Sequence, residues 1–325
     1  MAPWEWMMED GVFGVRNPER DEIGFVSVMG AGGEYFAVAL YQGAVALYDF
    51  LALSEAGRDG MGDSFGAERV LEIPQLQASF EDRGHLHKED RDIIKKLGLK
   101  FRGANNWPMF RNYAPGMFPW FLTSSEARFL TIALEQLLDV APRMHDDEDL
   151  LFGGEEDDFL VRVPRVENAR LMWEDKIMRV PEPELKEAAP APLDPQLLES
   201  LKRLPEVTNV IEIELTMLPM PVREKKDRPF FPYLLMLVDA SSGLILANDM
   251  LQPLPSLDAM RAEFPTKVAE HLLRLGAKPL RVAVRTETTA RSLAPLAEEL
   301  GIRIKLSPRL PALDEAVEFM GRMFR

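Results

Sequence analysis

The sequence predicts an α+β domain, an antiparallel meander with helices, followed by an α/β domain on a mixed sheet. Three observations carry that class. Apolar runs near the start are short and separated by glycine breaks, as in consecutive hairpins. The stretch Pro181-Glu-Pro-Glu-Leu-Lys-Glu-Ala-Ala-Pro-Ala-Pro192 has linker composition, with little to bury. Beyond it, strand-like and helix-like periods alternate, the pattern of α/β crossovers. The domains are therefore expected at 1–180 and 195–325, with a linker at 181–194.

Residues 12–50 read as a meander. Val26–Met29, Tyr35–Tyr41 and Ala44–Tyr48 are strand-like, broken by Gly30-Ala-Gly-Gly33 and Gln42-Gly43. The glycine cluster is read as a hairpin turn, because a phosphate loop needs a helix after it and a strand follows here. Residues 54–69 are glycine-rich and polar, a loop. A helix is expected from about Lys88 to Leu97, closing on Gly98. Another opens at Thr123, where Thr123 and Glu126 form a capping box, and Phe129, Leu130, Ala133, Leu134, Leu137 and Leu138 recur at helical spacing. The acidic run from Asp146 to Asp158 reads as a solvated loop, since its spacing does not match a calcium loop. Strand character returns at Phe159–Val163 and Ala169–Asp175.

Between the two helices lies the densest feature of the chain, Trp107-Pro-Met-Phe-Arg-Asn-Tyr-Ala-Pro-Gly-Met-Phe-Pro-Trp120, with five aromatics, three prolines and one arginine in fourteen residues. The prolines bar a continuous helix, so the rings are expected on irregular, stiffened backbone. Such a surface either caps a core or grips a partner. Trp107, Arg111, Tyr113 and Trp120 are the candidate binding residues, being the side-chain types that dominate interface energies. A third use would be docking the two domains on each other.

After the linker the reading is helix 195–204, strands 208–217, 232–239 and 244–250, helix 257–275, strand 280–285, helix 287–300, strand 302–306 and helix 312–323. Leu234–Val238 is apolar on both faces, as a central strand covered on both sides should be. Ser256 caps one helix, while Gly276 and Gly301 stop two.

Composition narrows the function classes. With no cysteine among 325 residues, there is no disulfide framework, thiolate nucleophile or cysteine-ligated metal, which suits a reducing cytoplasmic setting. No apolar run is long enough to span a membrane, and the first residues lack the pattern of a secretory signal. Charge is uneven: residues 1–227 hold 25 basic and 42 acidic side chains, the remainder 13 and 11. The acidic part repels phosphate backbones, so nucleic acid is not its expected partner. His85 and His87 with nearby carboxylates have the elements of a zinc site, but just before a helix in a charged stretch they read as loop histidines. No serine stands in a nucleophile elbow.

The segment Phe80–Leu138, with Trp107-Pro-x-Phe-Arg and Pro115-Gly-x-x-Pro-Trp, resembles a family of uncharacterised bacterial two-domain proteins, catalogued as domains of unknown function. Arg228-Pro-Phe, Val238-Asp-x-x-Ser-Gly and Leu310-Pro-Ala-Leu-Asp resemble the domain that accompanies it there. The resemblance implies a bacterial, soluble, two-module protein and transfers no site residue.

More loosely, the element order of the second domain resembles the ribonuclease H-like fold of integrases and nucleases. That resemblance implies a carboxylate on the first strand, one at the end of a later strand and a third on a helix, together holding two metal ions. Asp239 takes the first position, Glu287 the second, and Asp314, Glu315 or Glu318 the third. Thr286, where an enzyme would show aspartate, is a departure, and Asp239-Ala-Ser-Ser-Gly is also good turn chemistry. The expectation is therefore a non-catalytic cytoplasmic binding or adaptor module, with a protein or peptide partner and no cofactor. The alternative is a Mg²⁺- or Mn²⁺-dependent phosphodiesterase or nuclease acting through Asp239, Glu287 and Glu315.

Overall fold

The computed structural model describes residues 2–7, 11–33, 35–58, 69–151, 155, 157–184, 190–224 and 227–323. The chain forms two units, Met1–Leu185 and Lys186–Arg325. The first is built on strands β1 (Phe13–Arg16), β2 (Ile23–Met29), β3 (Phe36–Gln42), β4 (Gln75–Glu81), β5 (Trp107–Tyr113), β6 (Asp158–Glu167) and β7 (Arg170–Arg179). Its helices are α1 (Gly43–Arg58), α2 (Lys88–Lys96) and α3 (Ser124–Asp146). The seven strands lie in the order β5-β4-β3-β2-β1-β6-β7. All neighbours are antiparallel except β1 and β6, which run parallel.

Side chains alternate across a strand, so each strand feeds two cores. Val26, Val28, Val38, Leu40, Leu76 and Leu160 meet α3 through Phe129, Leu130, Leu137 and Val140. Phe25, Ala39, Tyr41 and Val161 meet α1 through Ala46, Leu47 and Phe50 on the opposite face. Gly24 permits the close approach of α3, since a Cβ there would meet Leu40 Cδ1 at 2.6 Å and Phe129 Cζ at 2.9 Å.

Two expectations are corrected. Ala44–Tyr48 is helix, not a third meander strand. Ala46, Leu47 and Phe50 fall on one helical face, and Gly43, at φ 83°, turns the chain out of β3. The strand-like alternation of Ala-Val-Ala-Leu-Tyr is too short to separate the two periods. Likewise Trp107–Tyr113 is a regular strand and not irregular backbone; Pro108 is tolerated because β5 is an edge strand. The turn at Gly30–Gly33 closes with a bond from the Gly33 N–H to the Gly30 carbonyl, 2.9 Å, between β2 and β3. The expected loop at 54–69 begins inside α1, and its residues 59–68 lie outside the described residues, as do 152–154 and 156 of the acidic run.

The second unit carries α4 (Pro195–Lys202), β8 (Glu206–Met217), β9 (Tyr233–Asp239), β10 (Ile245–Leu251), α5 (Leu257–Leu275), β11 (Lys278–Val284), α6 (Glu287–Leu300), β12 (Arg303–Leu306) and α7 (Pro311–Met323). Strand order is β10-β9-β8-β11-β12. β9 is antiparallel to both β8 and β10, and the crossover strands β11 and β12 continue parallel to β8. Met236, Val238 and Ala283 face Leu310, Leu313 and Ala316 at α7. Ile211, Ile213, Leu235, Leu237, Val282 and Val284 alternate to the other face. Helices α4, α5 and α6 pack on one another, with α5 against β10 and α6 against β11 and β12. Ser256 accepts an N-cap bond and Gly276 and Gly301 take left-handed C-caps, as the sequence predicts, and Thr286 caps the helix between them. Among the described residues, no helix is long and apolar enough to cross a membrane.

Leu130 is 1% exposed in the core between α3 and the sheet. Leu130→Ala is expected to cost about 2–5 kcal/mol, read as a lower urea midpoint with an unchanged slope.

Candidate functional site

The aromatic-proline segment forms one border of the first sheet. Register with β4 runs from Gln75↔Tyr113 to Glu81↔Trp107. On the outer side of β5, the Asn112 N–H donates to the Trp120 carbonyl (2.8 Å) and the Trp120 N–H returns the bond to Asn112 (3.0 Å). Pro108 has no N–H to offer. The Phe110 carbonyl accepts from Arg111 Nη1 at 2.8 Å. An edge that would otherwise recruit another strand is thus largely closed by its own sequence.

Arg111 is 3% exposed. Its guanidinium donates to both oxygens of Asp90, at 3.0 and 2.6 Å, and lies 4.7 Å over the Phe121 ring. Asp90 also accepts the His87 N–H at 2.9 Å, at the start of α2. The pair therefore pins α2 to the sheet border. The Tyr113 hydroxyl donates to Gln77 Oε1 at 2.7 Å, and Tyr35 donates to the same atom at 2.9 Å. Burial pushes both phenols above their ordinary pKa. Trp107 is half-buried, with Arg83 5.7 Å from its ring and Phe101 beside it. Trp120 is half-buried against His87 and Phe121. Arg111 and Tyr113 are thus committed to internal partners, while Trp107 and Trp120 keep partly open faces. About 17 Å of strand separates Trp107 from Asn112, where Trp120 attaches.

The sequence reading overlooked β4. Gln75, Gln77, Ser79 and Glu81 alternate along it, and all are buried. Ser79 Oγ donates to Glu81 Oε1 at 2.9 Å, and His85 Nδ1 lies 3.1 Å from Glu81 Oε2. The signal was strict polar–apolar alternation, with the polar side turned inward instead of to solvent. His85 is exposed and His87 starts α2. Among the described residues, no group of three or more histidine or acidic side chains is arranged to hold a metal ion.

In the second unit, Asp239 ends β9 and organises the turn that follows. Its carboxylate accepts five bonds: from the Ser241 N–H and hydroxyl (3.0 and 2.6 Å), the Ser242 N–H and hydroxyl (2.8 and 2.9 Å) and Asn209 Nδ2 (2.6 Å). The Ser241 hydroxyl first, then Asn209 and the Ser242 amide, hold its pKa well below the usual carboxylate range. Asp239 pairs with Ile211, whereas Val238 beside it faces α7, so Asp239 lies on the sheet face away from α7. Glu315 is exposed on α7, and Glu287 is exposed in the first turn of α6 behind the Thr286 cap. Alternation along β9 puts Asp239 on the sheet face opposite α7 and its Glu315, and among the described residues Asp239, Glu287 and Glu315 form no common group.

The structure brings together a different set. Glu212 and Glu214 lie on the α7 face of the central strand β8, both buried. Arg285, the residue after β11, donates from Nε and Nη2 to the two Glu214 oxygens at 2.7 and 3.0 Å. The same guanidinium reaches Asp314 Oδ1 on α7 at 2.5 Å and the Pro308 carbonyl at 3.0 Å. The bonds to Glu214 lead in raising the Arg285 pKa. Glu212 accepts the Leu313 N–H at 2.8 Å in the first turn of α7. Burial raises its pKa against the opposing pull of the Leu313 and Ala312 amides. The sequence signal was Ile211-Glu-Ile-Glu-Leu, two acids on one face of a strand whose other face is apolar.

Residues 1–162 match the family model of a domain of unknown function (DUF7309), and residues 197–321 match a second (DUF6930). Among solved structures, the chain is similar to the catalytic core domain of BIV integrase, at 16% identity and a TM-score of 0.24. That likeness covers 36% of this chain and 66% of the integrase chain. No curated protein matches.

Arg111→Ala strands the Asp90 carboxylate and frees the Phe110 carbonyl; thermal unfolding is expected to show a loss of about 3–5 kcal/mol. A carboxyl whose pKa is depressed by folding, as in Asp239, stabilises the fold above its unfolded pKa, near 3.9. That contribution is lost as pH falls through the folded value. The stability gap between wild type and Asp239→Asn is therefore expected to hold from pH 7 to about 5 and to shrink in stronger acid. Urea unfolding across that range measures it, and a gap independent of pH would contradict the assignment.

Proposed function

We propose that this chain, an assembly of two unknown-function domains covering residues 1–162 and 197–321, is a non-catalytic binding or adaptor protein of the cytoplasm. The second unit would serve as a ribonuclease H-like scaffold whose charge centre is closed by an arginine. The observation that carries this reading is the set Glu214–Arg285–Asp314. In the second unit the first strand, β8, is central, with hairpin partners on one side and crossover strands on the other. The ribonuclease H-like resemblance calls for carboxylates on that first strand, at the end of a later strand and on a helix. Glu212 and Glu214, Arg285 and Asp314 stand in those places.

A two-metal centre needs its carboxylates free to bind cations at neighbouring points. Here the middle position carries a guanidinium, which supplies the positive charge itself and engages Glu214 bidentately. Glu212 is bonded to the start of α7. What remains for recognition is surface. In the first unit, half-buried Trp107 and Trp120 and exposed Phe110 offer apolar contact at the sheet border, suited to a protein or peptide. The acidic composition of residues 1–227 disfavours a phosphate backbone, and the lack of cysteine fits a reducing compartment.

Calorimetric titration of Mn²⁺ and Mg²⁺ tests the reading. Wild type is expected to take up neither ion. Arg285→Ala removes the internal cation and is expected to create a Mn²⁺ site that a second substitution, Glu214→Gln, abolishes. Mn²⁺ binding by wild type, lost in Asp239→Ala, would instead favour a metal-dependent phosphodiesterase.

A further inference from the structure

The two borders of the first sheet are treated differently. At β5 a proline, an arginine and the Trp120 bridge close the edge, as described above. At the other border stands β7, the last strand in the order, in ten unbroken register pairs with β6 and without a proline or a bulge. Asn168 and Ala169, at φ 50° and 59°, join the two strands in a two-residue turn between Glu167 and Arg170. Such a turn makes its flanking residues a hydrogen-bonded pair, and bonding then alternates along the ladder. The backbone groups of Leu171, Trp173, Asp175, Ile177 and Arg179 therefore point away from β6. Among the described residues, no strand pairs with that outer side. Leu171, Met172 and Ile177 are 43, 50 and 58% exposed along it.

We propose that β7 pairs antiparallel with β7 of a second copy of this chain, joining two seven-stranded sheets across a twofold axis through Asp175. An open row of amides and carbonyls requires an extended strand as its occupant. The sequence of β7 indicates which strand. Antiparallel pairing about a twofold axis keeps each face on its own side, so only residues that share a face oppose one another. With Asp175 on the axis, Glu174 and Lys176, which pair at 2.7 Å within one strand, also face the second copy's Lys176 and Glu174, so the charges alternate in sign across the seam. Met172 then opposes Met178, Trp173 opposes Ile177, and Leu171 lies against the aliphatic stem of Arg179. Moving the axis to the next residue on either side places Glu174 on Glu174 or Lys176 on Lys176, and sets apolar side chains against charges. Asp175 meets its own copy on the axis, but its carboxylate is already held by Arg143 and Arg162 of the same chain. Opposite charges and apolar pairs thus converge on one register.

Sedimentation equilibrium of the full chain over a range of concentrations tests this. Wild type is expected to approach twice its 36.8 kDa as concentration rises. Lys176→Glu and Glu174→Lys each set like charges face to face at both symmetric pairs and should weaken association about tenfold. An equimolar mixture of the two variants restores both opposite-charge pairs and should associate as wild type does. Ile177→Pro removes one outward N–H without touching the bonds to β6, and should leave a folded monomer by circular dichroism. A wild type that stays monomeric at every concentration overturns the proposal. So does an association that these substitutions leave unchanged.

Discussion

A charged side chain on a strand covered by helices must bring its counter-charge with it, because an unpaired buried charge costs several kcal/mol (roughly 3–5 by mutation). Both sheets of this chain are organised around that constraint. Arg111 is buried against Asp90, Arg162 against Gln136 and Asp175, and Arg285 against Glu214. Each of these bonds ties a strand to a different element: α2 for Arg111, α3 and β7 for Arg162, the neighbouring strand for Arg285. Arg285 then reaches on to α7 through Asp314. Apolar burial holds the layers together, and these guanidiniums fix where each element sits along the layer, since a planar fork meets a carboxylate in one geometry.

The same constraint bears on the functional reading. Asp239 looks catalytic in the sequence because an acid closes an apolar strand, yet every donor around it belongs to its own turn or to Asn209 next door. The acids that do lie inside the second unit are on β8, and each already has a partner, a guanidinium for Glu214 and a helix terminus for Glu212. Such a cluster has the residue types of an active site and the connectivity of a structural joint.

Much of the second unit was legible in the sequence, because its helices are capped by Ser256 and Thr286, stopped by Gly276 and Gly301, and separated by short apolar strands. The first unit was harder to read. Its α1 begins with five residues that suit either period, and β4 turns glutamines, a serine and a glutamate inward, where alternation alone would send them to water. The importance of Arg111 was legible, but its partner was not, since Asp90 lies on another element and only the fold joins them. For Glu214 and Arg285 the obstacle was the same: 71 residues separate them, and parallel pairing of β8 with β11 brings them side by side.

The parallel contact between β1 and β6 also sets the order in which the first sheet can be completed. Gly14 pairs with Val161 and Val15 with Arg162, so the seat for β6 exists long before β6 does. At ribosomal rates of about 5–20 residues per second, the intervening chain takes roughly 7–30 s to emerge. Until then β1 is a bare edge, and the two cores that Leu160 and Val161 later complete, one on each face, are open there. The nascent protein therefore passes through a stage in which a four- or five-stranded half-sheet must wait for its sixth strand. In that interval its open edge and uncovered apolar side chains are more exposed to wrong pairing than anything in the finished sheet.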